Sequence, residues 1–181
     1  MSKKTKTNEG KNNYPSAELV RDVCAEDYKR LIDTYDKIYE KVNIALVFCS
    51  VVLVAIVPIV NYTVIQRIID NTSNLELLSL IVFLIFSVAS IVTMVWAIIQ
   101  LLLLMRGKKI YTVDTVAIRN ENIYNETVTD ASMWLIDKYT ICIDELKQTI
   151  KQKQNSYDSA IVKIIISIIT FVIASIIAKG V

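Results

Sequence analysis

The side chains of this chain that could perform chemistry are a few polar groups set within long apolar stretches. Asn43, Gln100 and Lys163 each lie a few residues inside one end of such a stretch. Amide and ammonium groups are costly in an apolar membrane segment, so they usually face a partner helix or a water-filled cavity. We therefore predict that these three side chains form one polar layer.

A second group of polar side chains lies further along the same stretches. Counting seven residues outward from each member of the first layer gives Ser50, Thr93 and Thr170, and Ser167 shares a helical face with Thr170. Seven helical residues span about 10 Å, so a second polar layer is expected at that distance. Two interpretations stay open, because such side chains pack membrane helices together and also line water-filled or gated paths between subunits.

The lysines provide two further candidates for binding. Lys163 is either an anchor at the membrane interface or the cationic mouth of such a path, where it would disfavour cations and favour anions. Lys147, Lys151 and Lys153 form a basic patch on the third long helix. This patch is either a solvated face or a contact for an anionic ligand or lipid.

Enzyme chemistry is not indicated by the residue types. The chain has no histidine, the commonest general base and metal ligand. Cys24, Cys49 and Cys142 are far apart, which is typical of small buried thiols rather than metal or redox sites. The sequence contains no glycine-rich phosphate loop, HExxH or GxSxG motif. We predict no catalytic residue, no metal and no cofactor.

Three apolar stretches must position these polar groups. They cover residues 42–60, 77–105 and 161–178, and about 20 helical residues cross a hydrocarbon core of about 30 Å. The third stretch is long enough only if Lys163 extends its ammonium group to the lipid headgroups. Hydrophobic residues make up 54% of the 181-residue chain, which is typical of an integral membrane protein.

The distribution of lysine and arginine predicts how the spans are oriented. Nine of these residues precede the first span and eight lie in residues 106–160, whereas the 61–76 loop has only Arg67 and the tail after the third span only Lys179. Because basic loops are retained in the cytoplasm, residues 1–41 and 106–160 are predicted to be cytoplasmic and the C-terminus outside. The predicted location is the inner (plasma) membrane, with several passes.

The cytoplasmic segments are predicted to be helical extensions of the spans. Residues 1–15 are expected to be a disordered basic tail, and residues 16–181 a single all-α domain with cytoplasmic helical regions 16–41 and 106–160. A polar stretch at 120–130 is the best candidate for a turn. The predicted long helices cover residues 16–69, 75–122 and 130–179.

Heptad repeats run through both outer helices into their spans, a pattern typical of coiled coils. The first repeat consists of Cys24, Tyr28, Leu31, Tyr35, Ile38 and Val42. The second, interrupted only by Lys153, consists of Ile136, Tyr139, Ile143, Leu146, Ile150, Tyr157, Ala160 and Ile164. One seam per helix favours helix pairing, within the chain or between copies in a homo-oligomer, over the core of a soluble enzyme.

The arrangement resembles the SLATT-type membrane effectors of bacterial nucleotide-signalling and anti-phage systems. The resemblance rests on the amphipathic lead-in DYKRLIDTYDKIYEKVN, two spans across a short loop, and the returning helix WLIDKYTICIDELKQTIKQKQNSYDSAIV, and covers roughly residues 25–160. It implies an oligomeric pore or membrane-disrupting effector, held inactive until a cytoplasmic signal rearranges the helices. The implied signal is a nucleotide or oligonucleotide, or a partner protein that produces one.

A different class of function also fits the sequence. The spans could anchor a non-conducting scaffold in the lipid bilayer, with the cytoplasmic bundle docking a partner protein. The sequence does not decide between this scaffold and the effector.

Overall fold

The computed structural model describes residues 14–69, 74–107 and 110–179, and the part of the chain it describes is helical, without a strand. The predicted tail 1–15 lies largely outside the described residues; Tyr14 to Ser16 form a turn in which the Ala17 amide donates to the Tyr14 carbonyl at 3.1 Å. The helices are α1 (Ala17–Ile69), α2 (Asn74–Met105), α3 (Thr115–Asn120), a 3₁₀ turn (Ile123–Asn125) and α4 (Val128–Lys179).

Three of these helices are long and apolar enough to cross a membrane, which confirms the predicted all-α class with three long apolar helices. The apolar helical segments are Ala17–Thr63, Leu77–Met105 and Val128–Ile177. Only 22%, 33% and 22% of their most apolar windows are buried within the chain. Most of each window therefore faces the surroundings, as expected for helices in contact with lipid or with other copies.

The predicted second helix, residues 75–122, is wrong beyond residue 105. Helix α2 ends at Met105, Arg106 forms a bend, and residues 110–114 are not helical. Gly107 has low helix propensity, and the β-branched residues that follow favour extended backbone. Asp114 then starts the short helix α3 as its N-cap, because its carboxylate accepts the Val116 amide at 2.8 Å. The predicted helical region 106–160 is thus interrupted at its start.

The predicted turn at 120–130 is confirmed. Asn122 adopts a left-handed conformation with φ of 54°, which asparagine tolerates better than most residues. Thr127 caps α4, since the Asp130 amide donates to its hydroxyl at 3.2 Å while that hydroxyl donates to the Asp130 carboxylate. The chain therefore turns twice within a few residues before α4 begins.

The chain divides into two compact units, residues 1–33 with 110–148 and residues 34–109 with 149–181, which we call unit 1 and unit 2. In unit 1 an aromatic and polar cluster lies between α3 and the start of α4. The Trp134 indole donates to the Glu121 carboxylate at 2.6 Å, and the Lys138 ammonium lies 5.0 Å from the centre of the Trp134 ring. These contacts fix the turn against α4.

Tyr28 connects α1 to the rest of unit 1. Its ring lies 5.8 Å from that of Tyr139, and its hydroxyl donates to the Tyr111 carbonyl at 2.9 Å. Burial raises the pKa of Tyr28 above its usual 10.0, with smaller contributions from Cys142 and Tyr139. Burial also raises the pKa of the Cys142 thiol above its usual 9.0. Both groups therefore favour the protonated form in the folded chain.

These shifts predict a loss of stability in alkaline solution. A group whose folded pKa is raised stabilises the fold fully below its unfolded pKa, and this stability is lost as the pH rises through the folded value. We expect the thermal midpoint of the full chain in detergent to fall as the pH rises above 9.0, the usual pKa of Cys142, and to fall further above 10.0, the usual pKa of Tyr28. Tyr28→Phe should fall less steeply over the same range. An identical slope in the variant would show that Tyr28 does not contribute.

In unit 2 the predicted seam of α1 is buried. Tyr35, Ile38 and Val42 are 3%, 4% and 1% exposed, which confirms these three positions. The same heptad spacing continues to Ala45 and Cys49, both in the core of the unit. The periodicity that predicted the seam thus identifies the face of α1 that packs inward.

Helices α2 and α4 meet in unit 2 along a second repeat, which we call the small-residue seam. Each step of seven residues towards the C-terminus of α2 reaches a residue that lies opposite one seven residues nearer the N-terminus of α4. The two helices are therefore antiparallel here. Small side chains at most positions let the backbones approach closely. Contacts define three layers, Phe83 with Ala174, Ser90 with Ser167, and Leu104 with Lys153. The same spacing places Ala97 and Ala160, both in the core of the unit, in a fourth layer.

Candidate functional site

A buried lysine lies at the C-terminal end of α2. Lys153 is 8% exposed, and its ammonium group donates to the Tyr39 hydroxyl at 2.7 Å and to the Leu104 carbonyl at 2.8 Å. The same nitrogen lies 4.2 Å from the centre of the Tyr39 ring and 5.0 Å from that of Tyr35. We call Lys153, Tyr35, Tyr39 and the Leu104 carbonyl the Lys153 cluster.

The cluster compensates the buried charge without a carboxylate. Leu104 belongs to the last turn of α2, where carbonyls lack helical partners and the helix dipole favours a cation. The two aromatic faces add cation–π attraction. Among the described residues, none of the ion pairs involves Lys153. A lysine from α4 therefore caps α2, which itself has no basic residue in its last turn.

Tyr35 supports this arrangement from α1. Its hydroxyl lies 2.7 Å from that of Tyr39, and the two rings meet edge to face at 5.1 Å. Burial, followed by the hydrogen bond with Tyr39, raises the pKa of Tyr35 above its usual 10.0, although Lys153 acts in the opposite direction. The neutral phenol thus helps to hold the Tyr39 oxygen beside the ammonium group.

A second polar group joins α2 to α4. The Lys163 ammonium donates to the Gln100 side-chain oxygen, and the Gln100 amide donates to the Ser156 carbonyl at 2.9 Å. Lys163 also lies 5.9 Å from the centre of the Trp96 ring. Two of the three members predicted for the first polar layer are therefore brought together. The third, Asn43, is exposed on α1.

Ser167, a predicted member of the second layer, pairs with Ser90 of α2. Each hydroxyl donates to the other residue's carbonyl at 2.8 Å, the two oxygens lie 3.0 Å apart, and both side chains are fully buried. Such a reciprocal pair requires close backbones. The Ser87 hydroxyl, one turn before Ser90 on α2, is also fully buried, but it has no hydrogen-bond partner among the described residues.

The two serines offer a direct measurement of this pairing. Ser90→Ala and Ser167→Ala are each expected to reduce the free energy of unfolding by about 0.6 kcal/mol, the average for hydrogen bonds between membrane helices. The double variant should lose less than the sum, because the hydroxyls interact. Ser87→Ala is the matched control and should be neutral or stabilising, since it removes an unpaired buried group. Strictly additive losses would contradict the pairing.

The predicted second layer is not joined within the chain. The hydroxyls of Ser50, Thr93 and Thr170 donate to carbonyls of their own helices, at 2.7, 2.8 and 2.8 Å. This bonding satisfies each hydroxyl locally, as is common in membrane helices. A path lined by these residues stays a prediction.

The three lysines of the predicted basic patch do not share one environment. Lys147 and Lys151 are exposed, whereas Lys153 is buried in its cluster, so the three do not form one surface. The physical reason is that Lys153 occupies a heptad position of the seam, where we expected only an interruption. The heptad position of Lys153, together with Tyr39 one turn after Tyr35, is the feature of the sequence from which the cluster could have been predicted.

A cleft opens beside the Lys153 cluster, at the end of α2. Its volume is about 360 Å³, and none of the described residues that line it carries a carboxylate. Arg106 and Lys153 supply two cationic side chains, and Thr149 and Ser156 contribute hydroxyl groups. The remaining lining residues are Leu103, Leu104, Gly107 and Gln152.

Other chemistry finds little basis in the described residues. Cys24, Cys49 and Cys142 are free thiols there, and no group of three histidine, cysteine or acidic side chains in that part of the chain could hold a metal. No protein family, curated protein or solved structure matches this chain. Its function is therefore argued from its own residues.

Proposed function

We propose that this chain is a membrane effector whose copies assemble to form a pore or to disrupt the membrane. The observation that carries the proposal is the polar stripe of α1. Asn43 and Ser50 both lie on the exposed surface of the chain, within the first predicted span. An amide side chain exposed to lipid is costly, so contact with another copy or with water would stabilise it.

Packing within unit 2 supports a path between copies rather than through one. Cys49, Met94 and Leu101 fill the interior of this unit and have no exposed surface. Two pairs of polar side chains, Ser90 with Ser167 and Gln100 with Lys163, bond between α2 and α4 rather than facing a path through the unit. The exposed stripe of α1 is thus the best candidate for the lining of an assembly.

The proposal includes the setting implied by the resemblance to SLATT-type effectors. The protein would lie in the inner membrane with its N-terminus in the cytoplasm and its C-terminus outside, as the basic residues predict. A nucleotide or oligonucleotide, or a partner protein that makes one, would activate it during anti-phage defence. No catalytic step is assigned to the chain.

A matched pair of α1 variants tests this function. We expect the wild-type chain to have a multi-copy mass in lipid nanodiscs and to collapse the membrane potential when it is expressed in bacteria. Asn43→Leu should reduce both effects, because it removes an exposed amide. Val47→Leu, one turn along the same exposed surface, should reduce neither. A single-copy mass together with an unchanged potential would contradict the proposal.

A membrane scaffold is the second candidate, and one observation favours it. In unit 1, which lies outside the predicted spans, Leu19 and Val23 are 68% and 57% exposed one turn apart, with Val20 beside them. Apolar side chains in contact with water favour burial against a partner. Harmless expression, combined with loss of partner binding in Leu19→Ser, would support the scaffold over the effector.

A further inference from the structure

We propose that the cleft at the end of α2 binds a phosphate group, and that its occupant is the headgroup of an anionic phospholipid. This inference does not depend on pore formation. It requires only that α2 crosses the membrane, so that its last residues lie near the headgroups. We call this site the Arg106 cleft, lined by the residues given above.

The charge of the Arg106 cleft favours an anion. Arg106 and Lys153 are cationic, and the lining shown by the described part of the chain contains no carboxylate. Lys153 has three N–H donors, of which Tyr39 and Leu104 accept two, so one remains for an oxygen of the ligand. Arginine and lysine are the usual partners of phosphate oxygens, because their hydrogen bonds to an anion are assisted by charge.

The negative C-terminal end of α2 does not cancel the positive charge of Arg106 and Lys153. Two carbonyls of residues that line the cleft already have donors: Leu104 accepts from Lys153, and Leu103 accepts the Arg106 amide at 3.2 Å. The helix dipole is thus partly neutralised where the anion would bind. Arg106 itself is exposed, so its guanidinium is accessible to a ligand.

The position of the cleft favours a lipid over a soluble phosphate. It lies where α2 ends, at Met105, which is near the depth of the headgroups if α2 spans the membrane. One wall is apolar, and Leu103 is 65% exposed beside it. A phosphodiester could therefore occupy the polar part of the cleft while its acyl chains follow the leucine surface.

The test measures lipid retained by the purified full-length chain. Native mass spectrometry after release from nanodiscs would compare phosphatidylglycerol with phosphatidylcholine of the same acyl chains. We expect retention of phosphatidylglycerol, weakened about tenfold by Arg106→Gln, which removes one charge-assisted contact. Lys151→Gln makes the same change of charge on the exposed face of α4 and should leave retention unchanged.

Three results would overturn the proposal. Equal retention of the two lipids would show that the headgroup charge is not recognised. Equal weakening by Arg106→Gln and Lys151→Gln would show attraction to the surface as a whole rather than binding in the cleft. Protection of the chain against thermal unfolding by inorganic phosphate, without any lipid preference, would assign the cleft to a soluble phosphate instead. Because none of these readouts involves conductance, failure of the pore proposal leaves them unchanged.

Discussion

Lys153→Glu is expected to be among the most damaging single substitutions in the described part of this chain. It places a carboxylate beside the Leu104 carbonyl and the negative end of α2, in a site that is 8% exposed. An uncompensated buried charge costs about 3–5 kcal/mol, which is comparable to much of the stability of a small protein. We expect the variant to unfold at a far lower temperature in detergent than the wild type, or to fail to accumulate.

Two further substitutions separate charge from packing. Lys151→Glu makes the same change two residues away on an exposed position and should have little effect. Lys153→Met keeps most of the side-chain volume but leaves the Leu104 carbonyl without its donor, at a cost of about 1–3 kcal/mol. If methionine proves as stable as lysine, desolvation of the ammonium group cancels its hydrogen bonds, as happens in some buried ion pairs. If Lys153→Glu is tolerated like Lys151→Glu, the cluster does not exist in the folded protein.

Ala160→Leu is expected to have the second large effect. Ala160 and Ala97 are both fully buried in the small-residue seam. Added methylene groups in a packed core cost about 1–3 kcal/mol, even when neighbours can adjust. Here adjustment is restricted, because separating the helices would also break the Ser90–Ser167 bonds one layer away. We therefore expect a loss at or above the upper end of that range.

Denaturant titration in mixed micelles, followed by tryptophan fluorescence, can measure this loss. Val162→Leu is the matched control, since residue 162 lies on the same helix and is 54% exposed. It should change stability by no more than about 0.5 kcal/mol, as surface substitutions usually do. Equal effects of the two leucines would mean that α2 and α4 do not approach closely at Ala160.

The sequence predicted the helical class and the buried face of α1, because heptad periodicity depends only on local spacing. It did not predict which residues of α2 face α4, since the register between two helices depends on packing that one helix does not encode. The end of α2 at Met105 was missed for a related reason. Gly107 carries a modest helix penalty on its own, and the lysine that caps the helix comes from 49 residues further along the chain.

The candidate site was predicted only in part. Gln100 and Lys163 were expected at one level because a uniform helical rise relates residue number to depth, and their side chains are in contact. Lys153 was assigned to a surface patch because charged residues are seldom fully buried. Its true surroundings depend on two tyrosines from α1 and a backbone carbonyl of α2, and backbone acceptors leave no trace in residue types.

The small-residue seam allows only one alignment of α4 along α2. A slip of one heptad would bring Lys153 level with Ala97, where it would lose the free carbonyl that neutralises it, and would bring Ser167 level with Phe83. The polar contacts of Lys153 and of the Ser90–Ser167 pair therefore select one register between two helices whose small residues repeat every heptad. Within unit 2, α2 and α4 can be expected to move together as one piece, and the hydrogen bond from Lys153 to Tyr39 links α1 to that piece.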